Sequence, residues 1–189
     1  MKNKKIILAS ASPRRAELLR KIVKRFKIIP SRIKETEIFG ATPEGFAVKA
    51  AIAKAAEIAL KHKKALVIGA DTIVVLGKKI LGKPTSPRDA IATLKKLSGK
   101  THRVITGIAV IDSETFRARA DYEATEVKMK KIPEKEIREY VKTGKPMDKA
   151  GSYGIQEIEE IFIAGIKGDY DNVVGLPVRK VKALLNKLR

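Results

Sequence analysis

Short apolar runs alternate along the chain with stretches in which apolar residues recur every three or four positions, the pattern of strands interleaved with helices. The run KKIILA at 4–9 reads as a strand closed by Ser10, and Ser12-Pro13 then supplies an N-cap and a first-turn proline for the helix RRAELLRKIV. Thr42-Pro43 repeats that start signal before EGFAVKAAIAKAAEIALKH, and Ser86-Pro87, with Asp89 in capping-box position, repeats it before AIATLKKLS. ALVIGADTIVVL at 65–76 and HRVITGIAVID at 102–112 read as buried strands. After a turn at 112–115, FRARADYEATEVKMKKI alternates apolar with polar and predicts a strand antiparallel to the one before it. Pro133 opens the helix EKEIREYVKTG, which Gly144 ends, and PVRKVKALLNKLR closes the chain as an amphipathic helix. The expected class is α/β, a mixed sheet flanked by helices.

Composition narrows the function classes. With 189 residues and 44% hydrophobic side chains, the chain can bury one good core, so one domain, 1–189, is expected. No stretch reaches the roughly 18 to 20 apolar residues a membrane span needs, and MKNKK leads into only IILA before Ser10. Zero cysteines exclude disulfides, thiolate metal sites and a cysteine nucleophile and fit a cytoplasmic location. Lys+Arg outnumber Asp+Glu 41 to 21, a net charge of +20 that attracts polyanions, either nucleotide phosphates or nucleic acid. Many lysines stand beside glutamates on the helices, so the same excess also reads as an ion-paired surface.

Three constellations carry candidate chemistry. In SASPRR at 10–15 a strand passes into a helix start bearing Arg14 and Arg15, where free N–H groups and guanidinium forks suit phosphate; an ordinary capped helix with two surface arginines fits as well. GADT at 69–72 sets Asp71 in an apolar strand, where a carboxylate is either paired, metal-bound or catalytic, or else caps a loop. Gly82-Lys83-Pro84 is a rigid turn that either aims Lys83 at a fixed point or leaves it on the surface. The third is the Gly-rich run at 140–156, expected to be a loop and not a core element, in which Gln156 could read a base edge with its amide. NVVGLPV at 172–178 is expected to be a strand-to-helix turn. His62 and His102 lack metal-ligand spacing and receive no role.

Read together, LASASPRRAELL at 8–19, Lys54 within AIAKA, GADTIV at 69–74, GKP at 82–84, THRVITG at 101–107, TGKPMDKAGSYGIQ at 143–156 and NVVGLP at 172–177 resemble the Maf family of nucleotide pyrophosphatases in order and spacing. The resemblance implies a twisted mixed sheet in a two-lobed body with a central cleft, related to inosine triphosphate pyrophosphatases. It implies a homodimer and a Mg²⁺- or Mn²⁺-dependent hydrolysis of a nucleoside triphosphate between its α- and β-phosphates. Carried over by position, Asp71 matches the family's catalytic acid and, with Glu35, its metal site; Lys54, Lys83 and Arg15 match phosphate grips, and Ser10 lies in the same turn. Arg14, Thr72 and Gln156 look like the branch that acts on dTTP and UTP. Two places depart from the pattern: Lys34 stands before Glu35 where the family often has Asp, and Glu157 and Glu159 replace glycines that often follow GIQ.

Two rival readings remain at this point. One is an inosine triphosphate-type housecleaning enzyme. The other is a basic nucleic-acid-binding module, disfavoured by only four tyrosines and five phenylalanines and by basic residues dispersed along the chain; nucleic acid is expected to bind non-specifically if at all.

Overall fold

The computed structural model describes residues 4–34 and 38–188. The chain runs β1 (Lys5–Leu8), α1 (Pro13–Arg20), β2 (Lys27–Ile28), α2 (Pro43–Lys61), β3 (Ala65–Leu76), β4 (Lys79–Leu81) and α3 (Pro87–Leu97). It continues through β5 (Thr101–Asp112), β6 (Ala118–Met129), α4 (Glu134–Lys142), α5 (Ile155–Phe162), β7 (Ile163–Lys167), α6 (Tyr170–Val174) and α7 (Val178–Asn186). One mixed sheet has the order β2-β1-β3-β5-β6-β7, with β4 paired to β3. β1 is parallel to β2 and β3, whereas β4 and β7 join their neighbours antiparallel. β5 and β6 are neighbours joined across a turn in which Asp112 N–H donates to Arg117 O at 3.0 Å. A connection that short allows only antiparallel pairing, as the alternation predicts.

The three start signals work as read. Ser12, Thr42 and Ser86 accept from the backbone N–H groups of Arg15, Gly45 and Asp89. The Asp89 carboxylate reaches back to the N–H of Thr85, one residue short of the N-cap. Gly144 has φ 73° just past α4 and ends it.

The chain forms two compact units. The first comprises Met1–Thr72, Thr106–Glu123 and Gly175–Arg189; the second comprises Ile73–Ile105 and Ala124–Val174. In the first, α2 lies against the sheet through alanines, and Ala51, Ala55 and Ile58 share a core with Ile7, Val67, Ala109 and Ile111. Its approach is unusually close: a Cβ on Gly69 would fall 2.1 Å from Ala51 O, and one on Gly107 would fall 2.2 Å from Ala47 O. Any side chain at either glycine would push the helix off the strands. In the second unit, β7 fills the edge of the sheet beside β6, and the buried Asn172 amide donates to Val104 O and Thr125 Oγ1 at 3.0 and 2.9 Å.

Three expectations change. The Gly-rich run is not a loop throughout: two 3-10 turns, Lys145–Asp148 and Ala150–Ser152, lead to α5, and Gly151, Ser152 and Tyr153 are buried. NVVGLPV is a helix-to-helix turn, because 170–174 are already helical before Gly175 takes φ 127°. α1 stops at Arg20, with Lys21 as its C-cap, short of the residues through Val23 that the pattern includes.

Candidate active site

The approach of α2 to β3 decides the first feature of the site. With α2 resting on Gly69, its mid-helix residue Lys54 reaches the strand two residues farther on, where Nζ lies 2.6 Å from Asp71 Oδ1. The Asp71 side chain is 4% exposed and that of Lys54 11%, so this is a buried ion pair. A carboxylate in such a place needs a cation, and the helix supplies it.

Arg15 builds the second feature. Because Ser12 caps α1, Arg15 sits in its first turn, and its guanidinium enters the protein instead of leaving it. Nε donates to Gly175 O at 2.9 Å, Nη1 to Ala70 O at 2.9 Å and Ser10 Oγ at 3.3 Å, and Nη2 to Thr72 Oγ1 at 3.0 Å. Thr72 and Thr106 share a further hydrogen bond of 2.9 Å between their hydroxyls. One planar cation thus joins the turn after β1, the middle of β3 and the turn before α7, a role that depends on its several fixed donors. Ser10 is buried and also accepts from Ser12 N–H at 3.2 Å.

Six of the sequence-derived residues therefore lie in one unit: Ser10, Arg14, Arg15, Lys54, Asp71 and Thr72. Direct contacts link Ser10, Arg15 and Thr72, and the backbone of β3 links these to the Lys54–Asp71 pair. Arg14 is half-buried beside them on α1.

Lys83 and Gln156 belong to the second unit. Gly151 N–H donates to Gly82 O at 3.0 Å, which ties the turn carrying Lys83 to the run that leads into α5. Gly151 has φ 68°, and a Cβ there would strike Val74 at 2.8 Å; Ser152 follows it in the left-handed region at φ 62°. Two consecutive left-handed residues make this corner sharp. Gln156 is exposed in the first turn of α5.

Glu35, the second acid expected at a metal, lies outside the described residues. Among the described residues no three His, Cys, Asp or Glu side chains gather as a metal cage. Asp71 offers hard carboxylate oxygens of the kind Mg²⁺ takes one or two of, the rest of its shell being water and substrate phosphate. The carboxylate of Asp71 is thus of the donor type such a cation takes.

Sequence reasoning missed Thr106 and the carbonyls of Ala70 and Gly175 as partners of this cluster. Thr106 lies inside THRVITG, and its neighbour Gly107 was the available signal.

The Maf-like protein family model matches residues 5–188. The chain belongs to this family. Among its curated relatives, the dTTP/UTP pyrophosphatase of Desulforamulus reducens is 48% identical, covering 93% of this chain and 92% of its own. Those of Ruminiclostridium cellulolyticum and Clostridium tetani are 46% and 44% identical, covering 97% and 96% of this chain and 95% and 96% of their own. Among solved structures, a HAM1 protein from Coxiella burnetii is similar with a TM-score of 0.53 at 16% identity, covering 98% of this chain and all of the other. The Ham1 protein of Staphylococcus aureus gives 0.54 at 14% with the same coverage. At that identity the likeness is one of fold. A Maf-family chain is thus built on a HAM1-like sheet, with a buried Lys–Asp pair and an arginine-tied turn at its candidate site.

Proposed function

We propose that this protein hydrolyses dTTP and UTP between the α- and β-phosphates, giving a nucleoside monophosphate and pyrophosphate. The observation that carries the reading is the pairing of Lys54 with Asp71 at 2.6 Å beside the Ser10–Arg15–Thr72 cluster, in a family whose relatives bear the name dTTP/UTP pyrophosphatase.

In this reading Asp71 is the general base: its carboxylate takes a proton from water as the water oxygen bonds to the α-phosphorus and the bridging P–O bond to the β-phosphate breaks, the electron pair leaving with pyrophosphate. Lys54 keeps Asp71 oriented and supplies positive charge, Arg14 adds to the charge that offsets a triphosphate, and the family resemblance implies a phosphate-gripping role for Lys83. Arg15 holds Ser10 and Thr72 in register through its internal hydrogen bonds. A divalent cation held by Asp71, when bound, would neutralise phosphate oxygens and polarise the phosphorus. Gln156 would read the base through its amide. Homodimerisation and a cytoplasmic location complete the proposal on family resemblance, and sedimentation checks the first.

The test is a panel of canonical, deaminated and methylated triphosphates incubated with purified protein and Mg²⁺ or Mn²⁺, with pyrophosphate and nucleotide products measured. Monophosphate and pyrophosphate from dTTP and UTP are expected. Preference for deaminated purines would replace the substrate assignment; diphosphate with orthophosphate would mean that another bond is attacked.

A further inference from the structure

The first turn of α5 is held by an ionic and hydrogen-bonded clamp. Lys149 is only 7% exposed; its ammonium donates to Lys145 O and to Asp148 Oδ1 at 2.8 Å, and it forms an ion pair with Glu157 Oε1 at 3.2 Å. The other oxygen of Glu157 accepts from the Tyr140 hydroxyl of α4 at 2.8 Å. That hydroxyl in turn accepts from Gly154 N–H at 3.2 Å. The Gly154 backbone lies so close to this cluster that a Cβ would come within 2.7 Å of Lys149 Cε and 3.1 Å of Glu157 Cδ. Ile155 and Ile158 of the same helix are buried. Gln156 stands between a residue packed into the core and the residue at the centre of the clamp.

We infer that Glu157 is a positioning residue: with Lys149 and Tyr140 it fixes the backbone of the α5 first turn, and so Gln156, before substrate arrives. This rests on the proposed reading in which Gln156 meets the base. The physical need is clear from the segment itself. Ala150–Gly154 turns through two left-handed residues, Gly151 and Ser152, and a backbone of that kind not held beforehand has to be ordered on binding. Glu157 supplies a carboxylate that joins α4, the segment after the first 3-10 turn and α5.

Glu157→Gly, Glu157→Gln and Tyr140→Phe are compared with the parent protein for KM and kcat on UTP and dTTP, thermal midpoint, and amide hydrogen exchange over 150–158. Glu157→Gly is expected to raise KM about tenfold with kcat within about twofold, and to speed exchange of these amides about tenfold, the effect of removing about 1.4 kcal/mol of preorganisation. Glu157→Gln keeps an acceptor for Tyr140 and is expected to recover part of both effects. Unchanged exchange would overturn the clamp, and faster exchange with unchanged KM would overturn the positioning role. A lower thermal midpoint without a KM change would also overturn it. If the parent protein releases no pyrophosphate from any triphosphate, the functional reading fails, while the exchange comparison still decides the clamp.

Discussion

Lys54 Nζ sits 2.6 Å from Asp71 Oδ1, a contact between the middle of a helix and the middle of a strand that exists because Gly69 has no side chain. Breaking a buried pair from one side leaves a charge in low-dielectric surroundings, which is worse than having neither partner. Lys54→Met is therefore expected to lower folding stability by about 3 kcal/mol, and the double variant Lys54→Met with Asp71→Asn to recover most of it. Urea denaturation of the four proteins checks this; additive losses would mean that the pair does not act as one.

Asp71→Asn keeps the size of the side chain and removes its basicity. Turnover of dTTP and UTP is expected to fall about a thousandfold or more, with nucleotide affinity measured by calorimetry holding within a few-fold. A variant that turned over at the parent rate would take Asp71 out of the reaction.

The close approach at Gly69 can be probed directly. In Gly69→Ala the new methyl meets the backbone oxygen of Ala51 at 2.1 Å, an atom that cannot swing aside. A loss of about 3 kcal/mol or more is expected by chemical denaturation, together with loss of pyrophosphate release as α2 carries Lys54 away from Asp71. Gly77→Ala is a contrasting case: no atom lies near its Cβ, and only its φ of 60° is strained, so a loss of about 1 kcal/mol is expected.

Arg15 and lysine are not equivalent here. The guanidinium spreads its donors over Gly175 O, Ala70 O, Ser10 and Thr72, and a lysine ammonium offers three donors from a single point. Arg15→Lys is expected to cost about 2 kcal/mol of stability and to reduce kcat/KM more than tenfold, both readable from thermal melts and steady-state kinetics.

His102 gives the fold a pH dependence. Burial lowers its pKa from 6.5 to about 4, and its Nε2 lies 2.6 Å from the Tyr153 hydroxyl. A folded-state pKa below the unfolded one means that the native protein withholds a proton. Its stabilisation is therefore complete above about pH 6.5 and is lost as pH falls toward 4, by up to about 3 kcal/mol. His102→Gln is expected to flatten the thermal midpoint across that range; an unchanged slope would assign the acid sensitivity to other groups.

Much of this architecture was legible in local pattern. The serine and threonine caps followed by proline marked three helices because they satisfy helix-start N–H groups using neighbours only. The apolar runs marked β3 and β5 because a sheet interior accepts little else. The site residues were legible as types and as motifs in order: a carboxylate in an apolar strand demands a partner whatever the fold. Local pattern failed where contacts from distant segments rule. α5 and the short helix at 170–174 form in sequence that reads as loop or turn, where Ile155, Ile158 and Val173 are buried and the Asn172 amide donates to the distant Val104 O.

The sequence by itself determined the capped helices and the long strands, the family and the set of chemical groups, because caps, periodicity and motif order depend on near neighbours. Only tertiary structure decided that Lys54 would be the cation for Asp71, that Arg15 would face inward to four acceptors, and that Glu157 would join Lys149 and Tyr140. These pairings join segments apart in the chain; that of Lys54 with Asp71 and that of Glu157 with Lys149 are set by close approaches that depend on the absence of a Cβ at Gly69 and Gly154.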